Sequence, residues 1–178
     1  MTSGAALRLD GILLPADAVT KHAVCVRPAA ADDCHHFWEW RNHPSARLVA
    51  FDQTPIPYDA HVPWFARKLD DPAARMLVVV GPEGRDIGYV RCDIAEGIGE
   101  ISVGLAAEEQ GKGYGPLALR AAAGWLLGDR ALQRLRAYVR PGNERSLRAF
   151  ECAGFVSSGN RVSMRGQDVH ELVFERSS

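Results

Sequence analysis

The segment that most constrains the fold of this chain is a glycine-rich turn at residues 110–116, Gln-Gly-Lys-Gly-Tyr-Gly-Pro. It joins a predicted strand to a predicted helix, and its glycines let successive backbone NH groups converge because no Cβ blocks the turn. The N-terminus of the helix adds partial positive charge, and Lys112 supplies a nearby cation. The segment therefore predicts a site for a phosphate or diphosphate. The alternative is a flexible turn that only starts a helix.

Two other phosphate-binding patterns do not fit this segment. The Walker pattern requires Ser or Thr after its lysine, whereas Lys112 is followed by Gly113. A dinucleotide fingerprint can be written over Gly113, Gly115 and Ala118, but the next strand should then end in an acidic residue about 20 positions on. That strand runs instead into Tyr-Val-Arg at residues 138–140. We therefore do not expect an NAD-binding fold.

Hydrophobic periodicity places the turn inside a longer series of strands and helices. Apolar alternation and apolar runs predict strands at residues 22–27, 76–80, 86–94, 100–105, 135–139, 161–165 and 169–175. Helical spacing and capping residues predict helices at about 33–42, 58–69, 116–127 and 144–153, with residues 45–57 as a loop. The predicted order is β-α-α-β-β-β-α-β-α-β-β. It corresponds to an α/β (α+β) fold with helices over a mixed central sheet.

Length and charge restrict the class of protein further. With 178 residues and a formal net charge of −1, the chain has the size of one domain and no positive field to attract nucleic acid or anionic lipid. Its four cysteines form no Cys-x-x-Cys pair, so neither a zinc site nor a disulfide framework is expected. No apolar run has the length of a membrane span or signal peptide. We expect a cytoplasmic protein with an N-terminal extension over residues 1–22 and one domain over residues 23–176.

A second motif follows the glycine-rich turn after one predicted helix and one predicted strand. It reads N-x-x-S-x-x-x-F-x-x-x-G-F over residues 143–155, and the first motif reads Q-x-x-G-x-G over residues 110–115. Together they resemble the two cofactor motifs of the GNAT N-acetyltransferase superfamily, over about residues 86–155. The resemblance implies a GNAT-type acyl-CoA N-acyltransferase fold, in which a splayed central sheet is flanked by helices. It also implies acetyl-CoA as the cosubstrate and no metal.

The resemblance implies where acetyl-CoA binds. Its pantetheine arm pairs like an added strand with the edge of residues 100–105, where this strand and residues 134–139 diverge. The diphosphate rests on the loop amides, and an NH near Leu105 polarises the acetyl carbonyl. For Asn143, helix capping is an equally good explanation. The implied cosubstrate-binding residues are Val103, Gly104, Leu105, Gln110, Gly111, Lys112, Gly113, Tyr114, Gly115, Asn143, Ser146 and Phe150.

The acid of the reaction is not specified by these motifs. Many members of the superfamily carry a tyrosine at the position of Phe150, proposed to protonate the departing thiolate, but phenylalanine has no proton to give. Tyr138 and Tyr114 are candidate substitutes, and water is a third. Phe150 is then expected to form a wall beside the thioester.

A base is also needed, because the acceptor arrives as an ammonium and must lose a proton before it attacks the thioester in a ternary complex. Glu100 and Ser102 share one face of a predicted strand, His61 lies on the second predicted helix, and Asp93 ends the preceding strand. For each of them the alternative is a solvated surface group or a histidine that packs between helices. The predicted catalytic residues are Glu100, Ser102, Tyr138 and His61.

The N-terminal third combines aromatic and cationic side chains in a way that suggests an acceptor site. Aromatic faces stack on a base or sugar, and arginines bind phosphate in a fork. The arrangement W-R-N, a later arginine and H-x-x-W-F resembles the amino-sugar N-acetyltransferases of the pseudaminic-acid pathway, which act on a UDP-linked 4-amino sugar. Alternatively, at least half of these aromatics anchor two amphipathic helices in the core. The candidate substrate-binding residues are Trp40, Arg41, Asn42, Arg47, His61 and Trp64.

Three functions are consistent with these observations. The first is acetylation of a nucleotide-linked amino sugar, and the second is protein N-terminal acetylation of the ribosomal-protein type. The third is an acyl-CoA-binding module without turnover, for which Phe150 is the only argument. The expected partner is a small-molecule amine, with neither nucleic acid nor membrane, and the expected assembly is a monomer or homodimer.

Overall fold

The computed structural model describes residues 8–9, 12–13, 24–129, 132–164 and 166–176. Two short strands near the N-terminus, β1 (Arg8–Leu9) and β2 (Ile12–Leu13), pair antiparallel with each other. The rest of the predicted extension over residues 1–22 lies outside the described residues, as does the start of the first predicted strand.

The main sheet contains eight strands among the described residues, in the spatial order β3-β4-β5-β6-β7-β10-β8, with β9 paired to β10. Neighbours run antiparallel except β6 and β7, which are parallel, so the predicted mixed sheet is confirmed. Strand β8 was not predicted, because two residues are too few to show a period. The bounds are β3 (Cys25–Pro28), β4 (Ala74–Val80), β5 (Asp86–Ala95), β6 (Ile98–Leu105), β7 (Arg134–Val139), β8 (Val156–Ser157), β9 (Val162–Met164) and β10 (Gln167–Glu175).

The helices follow the predicted order with one correction. They are α1 (Cys34–Asn42), α2 (Pro44–Val49), α3 (Tyr58–Asp70), α4 (Tyr114–Leu127) and α5 (Glu144–Ala153). The predicted loop over residues 45–57 is wrong at its start, where α2 lies. Pro44 does end α1, but a proline in a first helical turn costs no hydrogen bond, so it also begins α2. His43 Nδ1 accepts a hydrogen bond from Ser45 N at 3.3 Å and caps this second helix.

The two faces of the sheet carry separate hydrophobic clusters. On one face, α4 packs against the central strands with α5 beside it, and this cluster includes Leu119, Leu135 and Phe150. On the other face, α3 covers β4 while α1 lies over β5 and β6, and Phe37 and Phe65 are buried between them. The second face leads to the candidate active site.

Strands β6 and β7 diverge partway along their length. Their parallel pairing ends at Glu100 and Arg136, whereas on its other side β6 stays paired with β5 as far as Leu105. The backbone of residues 101–105 therefore has one edge without a strand partner in the described part of the chain. The splayed sheet implied by the resemblance is confirmed, and such an edge accepts an extended ligand as an additional strand.

Candidate active site

The glycine-rich turn forms an open cradle at the entrance of α4. Gly111 and Gly113 have φ of +80° and +84°, in the left-handed region that favours glycine. Apart from the adjoining residues, no atom lies within 4 Å of the place where a Cβ would stand on either glycine. Helix α4 begins at Tyr114 without a side-chain cap, so its first amides remain open to another acceptor. An anion such as a diphosphate suits these donors.

The polar side chains of the cradle, Gln110 and Lys112, interact with other residues of the protein. Lys112 Nζ lies 3.0 Å from Oε2 of Glu109, a buried carboxylate that also lies 3.4 Å from Arg85 Nη1. Gln110 Nε2 donates to the carbonyl oxygen of Leu105 at 3.0 Å. Lys112, the predicted nearby cation, is therefore held beside the cradle by a buried carboxylate.

The two sequence motifs meet where the start of α4 contacts the middle of α5. A Cβ on Gly115 would lie 3.4 Å from that of Ala149, so the first turn of α4 packs directly on α5. Asn143 Oδ1 accepts a hydrogen bond from Ser146 N at 3.2 Å and caps α5. Asn143 therefore has the helix-capping role that was the alternative to CoA binding. Contact of Asn143 and Ser146 with CoA stays a prediction.

Helix α2 connects both rims of the gap between β6 and β7. At its start, Ser45 Oγ donates to Gln110 Oε1 at 3.4 Å, beside the cradle. Just past its end, the carbonyl oxygen of Ala50 accepts a hydrogen bond of 2.7 Å from Nη1 of Arg140, which follows β7. The chain then enters residues 52–57, most of which line the cavity described next, so α2 leads from the cradle to the wall of this cavity.

The acceptor cavity, as we call it, has a volume of about 570 Å³ and opens on the face covered by α1 and α3. Three of the six candidate substrate-binding residues line it. Arg41 Nη2 donates to the carbonyl oxygen of Asp52 at 2.6 Å, while its buried Nη1 has no hydrogen-bond partner among the described residues. The charged, histidine and aromatic residues of the lining are Arg41, Asp52, Arg67, Arg91, His61, Phe37, Trp64 and Tyr89.

Two further candidates fasten one wall of the acceptor cavity. Asn42 Oδ1 accepts from Ile56 N at 2.7 Å, and Asn42 Nδ2 donates to Ile56 O at 3.0 Å. Arg47 Nη1 donates to the carbonyl oxygen of Gln53 at 3.2 Å. Both side chains hydrogen-bond to the backbone of this wall. Asn42 and Arg47 therefore lie at the edge of the cavity and do not line it.

His61 is buried between α1 and α3, with 2% of its surface exposed. Its Nε2 lies 3.1 Å from the carbonyl oxygen of Cys34, and because a carbonyl only accepts, this nitrogen carries the hydrogen. The ring centroid lies 5.2 Å from that of Trp64 and 5.7 Å from that of Phe65. Burial lowers the pKa of His61, so the imidazole is neutral at neutral pH. His61 combines a helix-packing position with a place in the cavity wall.

The other catalytic candidates lie along the strands that border the gap. Glu100 Oε2 is 3.7 Å from Arg136 Nη2, and Ser102 is exposed two residues further along β6. Tyr138 donates its hydroxyl hydrogen to Glu171 Oε1 at 3.3 Å, and the Arg136 guanidinium lies 5.1 Å from its ring centroid. Burial raises the pKa of Tyr138. Glu100, Ser102 and Tyr138 are thus on neighbouring strands, whereas His61 belongs to the helical side of the site.

Tyr89 is a residue of this site that the sequence analysis did not select. It lies on β5 opposite Gly104 of β6. A Cβ on Gly104 would approach Cε1 of the tyrosine ring to 2.5 Å, so the ring lies across β6. Trp40, the sixth substrate-binding candidate, stacks near parallel to this ring at a centroid distance of 6.4 Å. The signal in the sequence is the glycine, because a glycine inside a strand marks the close approach of another group.

A separate group of Asp33, His36 and Asp86 has ligand atoms within 4.8 Å of one another. Arg27 fills it: both guanidinium NH2 groups donate to Asp33 at 2.8 Å, and Nη2 also donates to Asp86 at 2.6 Å. This guanidinium holds the pKa of Asp33 below its usual range. A bound cation would have to displace Arg27, so the group is explained as an ion pair between β3, β5 and the segment before α1.

None of the helices in the described ranges combines the length and the apolar character that crossing a bilayer requires.

Residues 23–156 match the family described as the acetyltransferase (GNAT) domain. Among solved structures, AAC(6')-Ib in complex with paromomycin and acetyl-CoA aligns with a TM-score of 0.76 at 20% identity, covering 86% of this chain and 94% of that chain. Spermidine N-acetyltransferase from Vibrio cholerae, in complex with CoA and spermine, aligns with a TM-score of 0.75 at 20% identity, covering 86% and 95%. Among curated proteins, none matches the sequence at a significant level.

A glycine cradle at an uncapped helix entrance, beside a strand with one open edge, fits the diphosphate and the amide-rich arm of an acyl-CoA. These features define an acyl-CoA-dependent transferase. Because the family match extends over most of the sequence, the chain belongs to the GNAT acetyltransferase family. It is an N-acetyltransferase that uses acetyl-CoA.

Proposed function

We propose that this enzyme transfers the acetyl group to a primary amine of a small molecule that also carries negative charge, by direct attack in a ternary complex. A nucleotide-linked amino sugar, such as the UDP-linked 4-amino sugar of the pseudaminic-acid pathway, meets this description best. The observation that carries the proposal is the charge of the acceptor cavity, where Arg41, Arg67 and Arg91 line the wall with a single carboxylate, Asp52. Guanidinium groups bind phosphate oxygens in a bidentate manner.

The arginines of the acceptor cavity are placed to receive a ligand. The buried Nη1 of Arg41 lacks a hydrogen-bond partner in the described part of the chain, and such a donor is costly unless a ligand satisfies it. Arg91 is positioned from two sides, because its Nε lies 3.1 Å from Asp93 Oδ2 and its guanidinium lies 5.9 Å from the ring centroid of Trp64. Both side chains are therefore held in place before the ligand arrives.

The shape and the aromatic lining of the cavity also suit a nucleotide sugar. Its volume of about 570 Å³ lies within the range of roughly 300 to 1,000 Å³ usual for small-molecule sites. Phe37, Trp64 and Tyr89 present rings to the cavity, and rings of this kind stack on bases and on the apolar faces of sugars. We further propose that acetyl-CoA lies along Val103, Gly104 and Leu105, with its diphosphate on the cradle.

A polycationic amine is the second candidate, because AAC(6')-Ib and the spermidine enzyme bind aminoglycosides and polyamines. Acceptors of this kind need carboxylates around them, and three arginines in the lining would repel them. A protein N-terminus is the third candidate, and it has no phosphate for the arginines of the cavity to bind.

An acceptor screen tests the proposal. CoA thiol release is measured with a UDP-linked 4-amino sugar, kanamycin, spermidine and a peptide with a free N-terminus, and we expect the highest kcat/KM for the nucleotide sugar. Arg41→Gln and Arg91→Gln should each raise its KM by about 10- to 100-fold, the usual loss of a charged hydrogen bond. The KM for acetyl-CoA should stay within about twofold, because the cradle is untouched.

Arg134→Gln is the matched control for these variants. Arg134 lies at the end of β7 opposite the gap, where its guanidinium is 3.6 Å from Glu175 Oε1. Its loss should leave the KM of both substrates unaltered. A higher kcat/KM for kanamycin, spermidine or the peptide than for the nucleotide sugar would contradict the proposal.

A further inference from the structure

The hydroxyl of Tyr89 lies over strand β6 at the edge of the gap. A Cβ on Gly104 would be 3.0 Å from this hydroxyl oxygen and 2.7 Å from the ring carbon that bears it. Gly104 lies beyond Glu100, where the pairing of β6 with β7 ends. Because Tyr89 and Gly104 are cross-strand partners, they share the face of the sheet on which the acceptor cavity opens.

The ring of Tyr89 is held from several sides. Its centroid lies 5.0 Å from that of Phe37, and the Trp40 ring stacks on it with an interplanar angle of 14°. The backbone of Gly104 supports the ring from β6. Packing of this kind leaves a side chain one rotamer, so the hydroxyl is presented at one place.

No residue in the described part of the chain hydrogen-bonds to the Tyr89 hydroxyl. The Tyr89 side chain is half-buried in the cavity wall, so its hydroxyl is open to a ligand. Burial raises the pKa of Tyr89, while the charges of Arg41 and Arg91 act in the opposite direction. The phenol is therefore protonated at neutral pH and serves as a hydrogen-bond donor.

The other aromatic residues near the gap are less suitable as acids. Phe150 is 3% exposed and has no hydroxyl. Tyr138 already donates to Glu171 at 3.3 Å. Tyr114 packs against the hydrophobic cluster on the opposite face of the sheet, under α4. Among these four residues, Tyr89 alone lines the acceptor cavity, and its ring lies across β6 beyond the end of the pairing of β6 with β7.

We propose that Tyr89 is the catalytic acid of acetyl transfer. As the amine nitrogen bonds to the acetyl carbon, the carbon–sulfur bond breaks with its electron pair going to sulfur, and the Tyr89 hydroxyl gives its proton to that sulfur. CoA leaves as the thiol. The Tyr89 phenolate then takes the proton that the amine nitrogen loses, directly or through one water, and the enzyme returns to its starting state. One phenol thereby carries the proton from the nitrogen to the sulfur, whatever the acceptor is.

Tyr89→Phe tests this role because it keeps the ring and removes only the hydroxyl. With the fastest acceptor of the four above, kcat should fall by about 100-fold or more, the usual contribution of a general acid, while the KM for acetyl-CoA stays within about twofold. Tyr58→Phe is the matched control. Tyr58 is a 41% exposed residue at the start of α3, and its variant should keep the kcat of the unmodified protein.

A second measurement needs no acceptor. The thiol of bound CoA is titrated by difference absorbance against the complex with CoA that lacks its sulfur. A hydrogen bond from Tyr89 to the thiolate favours the charged form, so Tyr89→Phe should raise the pKa of the bound thiol by about one unit. The dissociation constant of CoA at neutral pH should stay within about twofold, and circular dichroism should show a folded variant.

Two outcomes would overturn the inference. One is a kcat within about threefold of the unmodified protein together with an unchanged thiol titration in Tyr89→Phe. The other is Tyr138→Phe producing the loss of kcat and the thiol shift that are expected of Tyr89→Phe. If none of the four amines is acetylated, the proposed acceptor class is contradicted while the thiol titration still decides the role of Tyr89.

Discussion

At the residue scale, Gly113 leaves open space at the entrance of α4, where we propose that the CoA diphosphate binds. Its φ of +84° turns the loop into the entrance of α4, and the space where a Cβ would stand is empty. Gly113→Asp should place a negative charge against the CoA diphosphate, and Gly113→Asn should place a neutral group of the same size there. Both side chains tolerate the left-handed backbone better than most.

We therefore expect Gly113→Asp to weaken CoA binding at least about tenfold more than Gly113→Asn, or about 1.4 kcal/mol, because only charge separates the two variants. Isothermal titration with CoA at low salt measures the difference. Equal dissociation constants for the two variants would show that the diphosphate does not lie on this loop.

Single residues differ in how far the sequence predicts their roles. Asn143 caps α5 and Gly154 ends it with a φ of +102°, as the pattern predicts, because caps depend on neighbours in sequence. Tyr89 was missed because strand alternation shows which face a side chain occupies and not how far it reaches across the next strand. Asn42 and Arg47 hydrogen-bond to the backbone of residues 53 and 56, which a sequence pattern does not show, and their contact with substrate stays a prediction.

Among the α-helices of the described residues, α2 is the one that the sequence does not predict. A proline after a helix usually indicates its end. Pro44 also begins α2, and this is evident only when His43 is seen to cap the new helix. A six-residue helix is too short to show hydrophobic periodicity. Short elements such as α2 and β8 are specified by contacts with distant residues, for example the hydrogen bond from Arg140 to Ala50.

The junction between α1 and α3 gives a pH-dependence prediction. His61 joins these helices through Cys34 O, and burial lowers its pKa in the folded state. The unfolded chain then binds a proton near the ordinary histidine pKa of about 6.5 while the folded chain does not. The free energy of unfolding should therefore fall as the pH drops below this value, until the lowered folded pKa is reached.

Urea denaturation at about pH 7 and about pH 5 measures this effect. His61→Gln should reduce the loss of stability between the two conditions, because the buried titrating group is gone. His170→Gln, which removes an exposed histidine of β10, is the matched control. A loss of stability in His61→Gln as large as in the unmodified chain would assign the pH dependence to other groups.

In the whole molecule, the larger hydrophobic core and the acceptor cavity lie on opposite faces of the sheet. The larger core is the cluster under α4. Leu119→Ala, at a fully buried position, should lower the free energy of unfolding by about 2–5 kcal/mol. Leu117→Ala, at a 37% exposed position of the same helix, should lower it by less than about 1 kcal/mol.

Thermal and urea denaturation measure the free energy of unfolding of the Leu119→Ala and Leu117→Ala variants. The KM of the acceptor should be the same in both variants below their melting temperatures. A raised acceptor KM in Leu119→Ala would mean that the two faces are coupled.

The fold of the whole molecule follows largely from the sequence. The order of strands and helices depends on local periodicity, and the two motifs flanking one helix and one strand indicate the GNAT family. The divergence of β6 from β7 was predicted only from the resemblance to the GNAT superfamily. Residues such as Ile101 and Val103 have the same pattern whether or not their strand edge is paired. The domain boundaries at residues 23 and 176 stay a prediction.

The fastening of α2 at Gln110 and Arg140 has a consequence for the order of events during turnover. We expect acetyl-CoA to reach the reaction centre along the cradle and the amine to reach it through the acceptor cavity. Neither substrate then has to bind first, and initial rates measured with both substrates varied should show random addition.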